Sequence, residues 1–206
     1  MITRRNLLKS TAISTTALST LFISTGTSVS ATDVPIGDNG LHIQDWFLDS
    51  FFDLAEDRAE AAAEGKSLAI IFEQRGCPYC AEMHRVNLAR KEITDYIKKN
   101  FVVVQVDLWG SREMTDFDGS ELPEKKLARK WRVNFTPTIV FIKPGTEKAE
   151  PSEMEVARIP GYFKPFHFLS MFEFVAEKKY DEMPFQRYLQ AKFKVLEEKG
   201  IDPDVW

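Results

Sequence analysis

Cys77 and Cys80 are the only cysteines among 206 residues, and they stand just two residues apart. That spacing constrains the chain more than any other feature. A bridge across so short a loop removes little freedom from the unfolded chain and cannot staple a fold, so the pair serves chemistry rather than architecture. Its neighbours say where it sits. Leu68-Ala69-Ile70-Ile71-Phe72 is a short, continuous apolar run of the kind that forms a strand covered on both faces, and it leads directly into Gly76-Cys77-Pro78-Tyr79-Cys80. Pro78 suits the first helical position, where its missing N–H would have no partner in any case. A cysteine at such a junction faces the positive end of the helix, which favours its thiolate, while the second cysteine lies a turn further in and is shielded. Cys77 is therefore read as the attacking sulfur and Cys80 as the resolving one.

The rest of the pattern is that of an α/β chain. Trp46, Phe47, Phe51, Leu54, Ala55, Ala59 and Ala62 recur at helical spacing up to Gly65, which predicts one amphipathic helix. After Cys80, Ala81, Met83, Val86, Leu88, Ile93, Tyr96 and Ile97 carry a broken helical period to Asn100. Phe101-Val102-Val103-Val104-Gln105-Val106 then reads as a second buried strand, parallel to the first by the usual crossover. Residues 107–121 are polar, contain Gly110 and Gly119 and show no period, so a long insert with little regular structure is expected. A short helix follows from Pro123 to Trp131. Ile139-Val140-Phe141-Ile142, the turn Lys143-Pro144-Gly145 and a strand from Met154 to Ile159 then suggest a hairpin with an edge strand. Two further helices are marked by Phe168 to Ala176 and by Phe185 to Leu196.

A zinc or iron–sulfur site would need more cysteines or well-placed histidines. His42, His84 and His167 are dispersed along the chain, each read as solvated or hydrogen-bonded, and no metal is expected. The first residues carry Arg4-Arg5, Lys9, a Ser/Thr-rich apolar stretch and Val29-Ser30-Ala31. This reads as an export signal over residues 1–31, of twin-arginine type with Leu7 where Phe is more usual, cleaved after Ala31; a general secretory signal is the alternative. Left uncleaved, it would anchor the protein to the membrane. Removing Arg4, Arg5 and Lys9 takes the formal charge from -4 to -4 - 3, or -7, which gives no reason to expect nucleic acid as a partner.

A strand running into Cys-x-x-Cys, a second strand, Phe135-Thr136-Pro137-Thr138 opening a third and Gly161 before a later helix together resemble the thioredoxin superfamily. Gly76 to Cys80, Leu108-Trp109-Gly110-Ser111-Arg112, Thr115-Asp116-Phe117-Asp118-Gly119 and Phe185-Gln186-Arg187-Tyr188 resemble, more narrowly, the periplasmic SoxW-type thioredoxins of sulfur-oxidising bacteria. The resemblance implies a thioredoxin fold, with a central mixed sheet flanked by helices, an insert near 107–121 and an added C-terminal helix. It divides the chain into a signal (1–31), a linker (32–40), a thioredoxin-like domain (41–183) and a helical extension (184–206). It also implies a cis bond before Pro137, with Thr136 and Pro137 pairing to an incoming chain and Pro78 and Tyr79 touching it. Two departures matter: Gly76 stands where thioredoxins carry Trp, and Ile71 where they carry a buried Asp. Glu73 is the nearest acidic substitute and the candidate proton acceptor, although a Glu at a strand end is more often solvated. Core packing and partner docking stay open for Trp109 and Phe117.

The function so implied is a periplasmic thiol-disulfide oxidoreductase. It would take electrons from a membrane thiol-disulfide transporter, use no cofactor, and reduce disulfides or persulfides on periplasmic proteins, among them those of a sulfur-oxidation system. A disulfide-forming oxidase or isomerase is the alternative. A soft-metal carrier using the dithiol is a lesser one.

Overall fold

A computed structural model describes residues 34–145 and 151–202. The export signal, the proposed cleavage point after Ala31 and the start of the linker lie outside them. Among the described residues, no helix is long and apolar enough to cross a membrane.

Strands β1 (Ser67–Glu73), β2 (Phe101–Asp107), β5 (Thr138–Ile142) and β6 (Glu155–Pro160) form one sheet in the order β2-β1-β5-β6. β1 runs parallel to β2 and antiparallel to β5, and β5 runs antiparallel to β6, so the sheet is mixed and β6 is an edge, as expected. Side chains alternate across a strand, and the central strand β1 feeds two cores in this way. Leu68, Ile70 and Phe72 join the core that holds Leu54 and Ala61 of helix α1 (Leu54–Ala63) and Leu127 and Ala128 of α4 (Glu124–Lys130). Ala69 and Ile71 join the other, with Ile93 and Ile97 of α3 (Lys91–Asn100) and Phe168, Phe172 and Val175 of α6 (Pro165–Ala176). Helices thus flank the sheet on both faces, which is why β1 is buried along its whole length. The C-terminal helix α7 (Phe185–Glu198) buries no residue fully and leans on α6, Phe193 against Phe166 and Phe185 against Phe174.

Two expectations are corrected. Helix α1 begins at Leu54, not near Trp46, because the Asp53 carboxylate accepts from the N–H groups of Ala55 (2.9 Å) and Glu56 (3.1 Å) and caps the first turn. Trp46 and Phe47 still pack on a core, but from an irregular strap pinned to β2 by the Leu48 N–H on the Val103 carbonyl. The helical spacing of Phe51 was coincidence, since it points into solvent.

The insert is also more regular than its composition suggests. β3 (Glu113–Thr115) pairs antiparallel with β4 (Glu121–Pro123). Strands of three residues are too short to show a period of two. Their anchor is Glu124, which is buried: it accepts from the backbone N–H of Asp107 and pairs with the Arg112 guanidinium. Gly110 lies so close that a Cβ there would fall 1.9 Å from a Glu124 carboxylate oxygen.

The hairpin between β5 and β6 carries a short helix α5 (Pro151–Met154) before the edge strand, which starts at Glu155, within one residue of where it was expected.

In the α1 region, Asp57 is buried and accepts from the Ser50 hydroxyl at 2.6 Å. Burial, with Asp53, Glu60 and Glu56 nearby, pushes its carboxyl up to about 6. The folded state therefore holds the proton where the unfolded chain has released it, so this group lowers stability as pH rises from about 4 to 6, with no further change above. Asp57→Asn keeps an oxygen for Ser50 and removes the charge. It is expected to gain roughly 2–3 kcal/mol over the parent at pH 8 and nothing below pH 4, read from urea unfolding at the two pH values.

Candidate active site

Cys77 and Cys80 meet where β1 ends and helix α2 (Pro78–Glu82) begins, joined by a disulfide. Gly76 sits at φ +70°, a left-handed conformation that suits glycine and explains why no Trp stands there. Cys77 is the N-cap of α2: its Sγ accepts from the Cys80 N–H at 3.1 Å, and Pro78 occupies the first turn. The hydroxyl of Thr136 also points at Cys77 Sγ, at 3.2 Å. The Thr136 carbonyl lies 3.6 Å from the same sulfur. A disulfide has no S–H, so this contact becomes a hydrogen bond only when Cys77 is a thiol. Cys80 is wholly buried and Cys77 is 3% exposed, so what surface the bridge presents belongs to Cys77.

The Thr136–Pro137 bond is cis, as its sequence context implies. The Pro137 carbonyl accepts from the Gly161 N–H at 2.8 Å, and the next residue, Tyr162, stacks on Tyr79 with ring centroids 6.4 Å apart. Four of the expected site residues (Cys77, Thr136, Pro137 and Tyr79) therefore share one rim, while Pro78 is exposed beside Tyr79 on the helix start. Trp109 and Phe117 part company. Phe117 is core, edge-on to Trp131; Trp109 is 69% exposed, and its indole N–H donates to the Gln74 side chain, whose backbone carbonyl in turn accepts from the Cys77 N–H. The insert thus holds one large exposed aromatic ring against Gln74, three residues before Cys77.

Glu73 is the largest surprise. It is wholly buried rather than solvated, and its Oε1 lies 2.6 Å from Nε2 of the equally buried His84. Met83–Asn87, which carries His84, is a π-helical turn continuing from α2, a device that shifts side chains out of α-helical register. The surrounding hydrogen bonds fix the tautomer of His84. The Trp46 indole N–H can only donate, and it donates to Gln44 Oε1 (3.1 Å), so Gln44 turns its NH₂ toward His84 Nδ1 (3.0 Å). His84 Nδ1 therefore accepts, the ring proton is on Nε2, and it is donated to Glu73. Gln105 spends its two N–H groups on the His42 carbonyl (2.8 Å) and on Glu73 Oε2 (3.0 Å). Both carboxyl oxygens of Glu73 thus accept a hydrogen bond, one from His84 and one from Gln105.

The expectation of dispersed histidines holds along the chain and fails in space. The His42 ring stacks on that of His84, 5.1 Å between centroids. Burial, then the neighbouring His84, push its pKa down, against a smaller upward pull from Glu73. Sequence reasoning had one usable signal for this group, the placement of His84 four residues beyond Cys80; nothing local links it to His42, Gln44 or Gln105.

Residues 54–176 match the model of a thioredoxin-like domain. No curated protein matches the chain. Among solved structures, it is similar to a thioredoxin-fold protein from Helicobacter pylori, at 24% identity over 68% of this chain and 94% of the other, with a TM-score of 0.47. A thioredoxin from Thermus thermophilus shares 30% identity over 62% of this chain and 86% of its own, with a TM-score of 0.48. The periplasmic thioredoxin SoxS from Paracoccus pantotrophus shares 21% over 55% and 99%, with a TM-score of 0.35.

Proposed function

The chain belongs to the thioredoxin-like domain family, and from that premise we propose that it is an exported thiol-disulfide oxidoreductase working as a reductant of protein disulfides or persulfides. The observation that carries the redox chemistry is the bridge itself: two cysteines at a helix start, one capping the helix and one buried beneath it. In the reduced protein the Cys77 thiolate attacks a sulfur of the partner's disulfide. A new S–S bond forms to Cys77, and the partner's other sulfur leaves as a thiolate. Cys80, deprotonated, then attacks Cys77 Sγ, which releases the second partner sulfur and restores the internal bridge. The partner leaves with both its sulfurs reduced.

The Cys80 proton needs an acceptor. Glu73, buried at the end of β1, takes that role in this reading. The partner's chain pairs beside Thr136 and Pro137, and the exposed rings of Tyr79 and Trp109 give it apolar surface to cover. Electrons for the next cycle would come from a membrane thiol-disulfide transporter, and the partners would be periplasmic proteins, including those of a sulfur-oxidation system. The division into signal, linker, domain and extension belongs to the same proposal.

Direction is decided by potential. Equilibration of the mature protein with glutathione is expected to give a value near the roughly -270 mV of thioredoxin. A value above about -150 mV, close to that of the oxidant DsbA, would make the protein a disulfide-forming oxidase instead.

A further inference from the structure

We propose that His42, Glu73 and His84 form a binding site for one divalent transition-metal ion of the zinc class, separate from the dithiol. Nothing in the thiol chemistry needs His42, yet its Nδ1 is buried and has no hydrogen-bond partner. One ligand atom from each of the three residues lies within 4.8 Å of the other two. Ligands about 2.0–2.1 Å from a tetrahedral ion sit roughly 3.4 Å from one another, so side-chain adjustment alone brings the three onto one centre. Two imidazoles and a carboxylate make a nitrogen and oxygen donor set suited to Zn²⁺, Co²⁺ or Ni²⁺, and they leave a fourth position open.

Charge argues the same way. Glu73 places a carboxyl group at 0% exposure, and among the described residues no lysine or arginine bonds to it. A buried acid carries its charge where it is paired or coordinates a metal. Its present partners, the His84 ring N–H and the Gln105 amide, are neutral donors. A dication set between Glu73 and the two rings would supply the missing positive charge and give the orphaned His42 nitrogen its partner.

Binding also has a traceable consequence. The ion would take His84 Nε2, which moves the ring proton to Nδ1. That N–H then faces Gln44, whose amide must turn to offer its oxygen, and the Trp46 indole N–H loses its acceptor. Metal occupancy and the present hydrogen-bond chain are therefore alternatives, and Trp46 reports which one holds.

The test uses the mature protein with its disulfide intact, so that no thiolate is available to bind metal. Co²⁺ is titrated into chelator-treated protein and then displaced by Zn²⁺. The expected result is one Co²⁺ per chain with visible ligand-field absorption, a dissociation constant of about 10 μM or below, and a shift of the Trp46 indole N–H resonance. His42→Phe keeps a ring stacked on His84 but removes the nitrogen, and Glu73→Gln keeps the shape but removes the charge. Each is expected to weaken Co²⁺ binding at least tenfold, or about 1.4 kcal/mol, with folding checked by circular dichroism. No saturable binding below about 1 mM, or undiminished binding in either folded variant, overturns the site. Because the bridge stays closed throughout, the result is independent of the reductase reading.

Discussion

Cys77→Ser is expected to reduce insulin disulfides no faster than the uncatalysed background, whereas Cys80→Ser still attacks and accumulates a mixed disulfide with its partner. The asymmetry follows from where the sulfurs sit. Cys77 Sγ faces two donors, the Cys80 N–H at 3.1 Å and the Thr136 hydroxyl at 3.2 Å, at the positive end of α2. Each stabilises a thiolate there more than a thiol. Cys80 has no exposed surface, so a protein partner cannot reach it before Cys77 has reacted. A serine at 77 leaves no sulfur to attack with. A serine at 80 leaves the first step intact and removes the second, so the covalent complex persists and appears on non-reducing gels. Mixed disulfides formed by the Cys77→Ser protein instead would reverse the two roles.

The largest loss of stability is expected from Phe172→Ala. The ring is fully buried and lies 5.0 Å from Phe101, 4.9 Å from Phe141 and 5.0 Å from Phe168 between centroids. It therefore joins α6 to β2 and β5 at once. Truncation removes the buried apolar surface and leaves a cavity that three large, mutually constrained rings cannot collapse to fill, a cost of about 3–5 kcal/mol. For a domain of this size that lowers the melting temperature by roughly 6–20 °C, measured by calorimetry. Phe51→Ala is the contrast: at 95% exposure it should change stability by less than about 0.5 kcal/mol. Similar losses from both would mean that the aromatic cluster is not what holds the sheet to α6.

What the sequence reveals follows from how local each signal is. β1 and β2 are legible because a strand buried on both faces must be apolar at nearly every position, and Leu68 to Phe72 and Phe101 to Val104 are. The cysteine pair is legible because its spacing alone excludes a structural bridge. The start of α1 is misread because Trp46 and Phe47 reach a core from irregular backbone at positions that mimic a helical period, although Asp53 with Glu56 three residues later carried the capping signal. The insert is misread because its strands are too short to alternate. Glu73 looks solvated by position, and only the fold reveals that Gln44, Trp46, His84 and Gln105 converge to satisfy it. Side chains drawn from a strap, two strands and a helix have no common spacing by which a sequence could announce them.

The strap has one more implication, for where this protein can be cut. The family match starts at residue 54, yet Gln44 and Trp46, which set the protons beneath the active-site helix, and His42, stacked on His84, all precede it. A fragment trimmed to the boundaries of the match keeps both cysteines and the entire four-stranded sheet. It also strips the cover from a buried acid and opens the Glu73–His84 pair to water. Homology and integrity draw the edge of this domain at different residues, and the roughly ten residues between them are part of the machinery, not a leader to it.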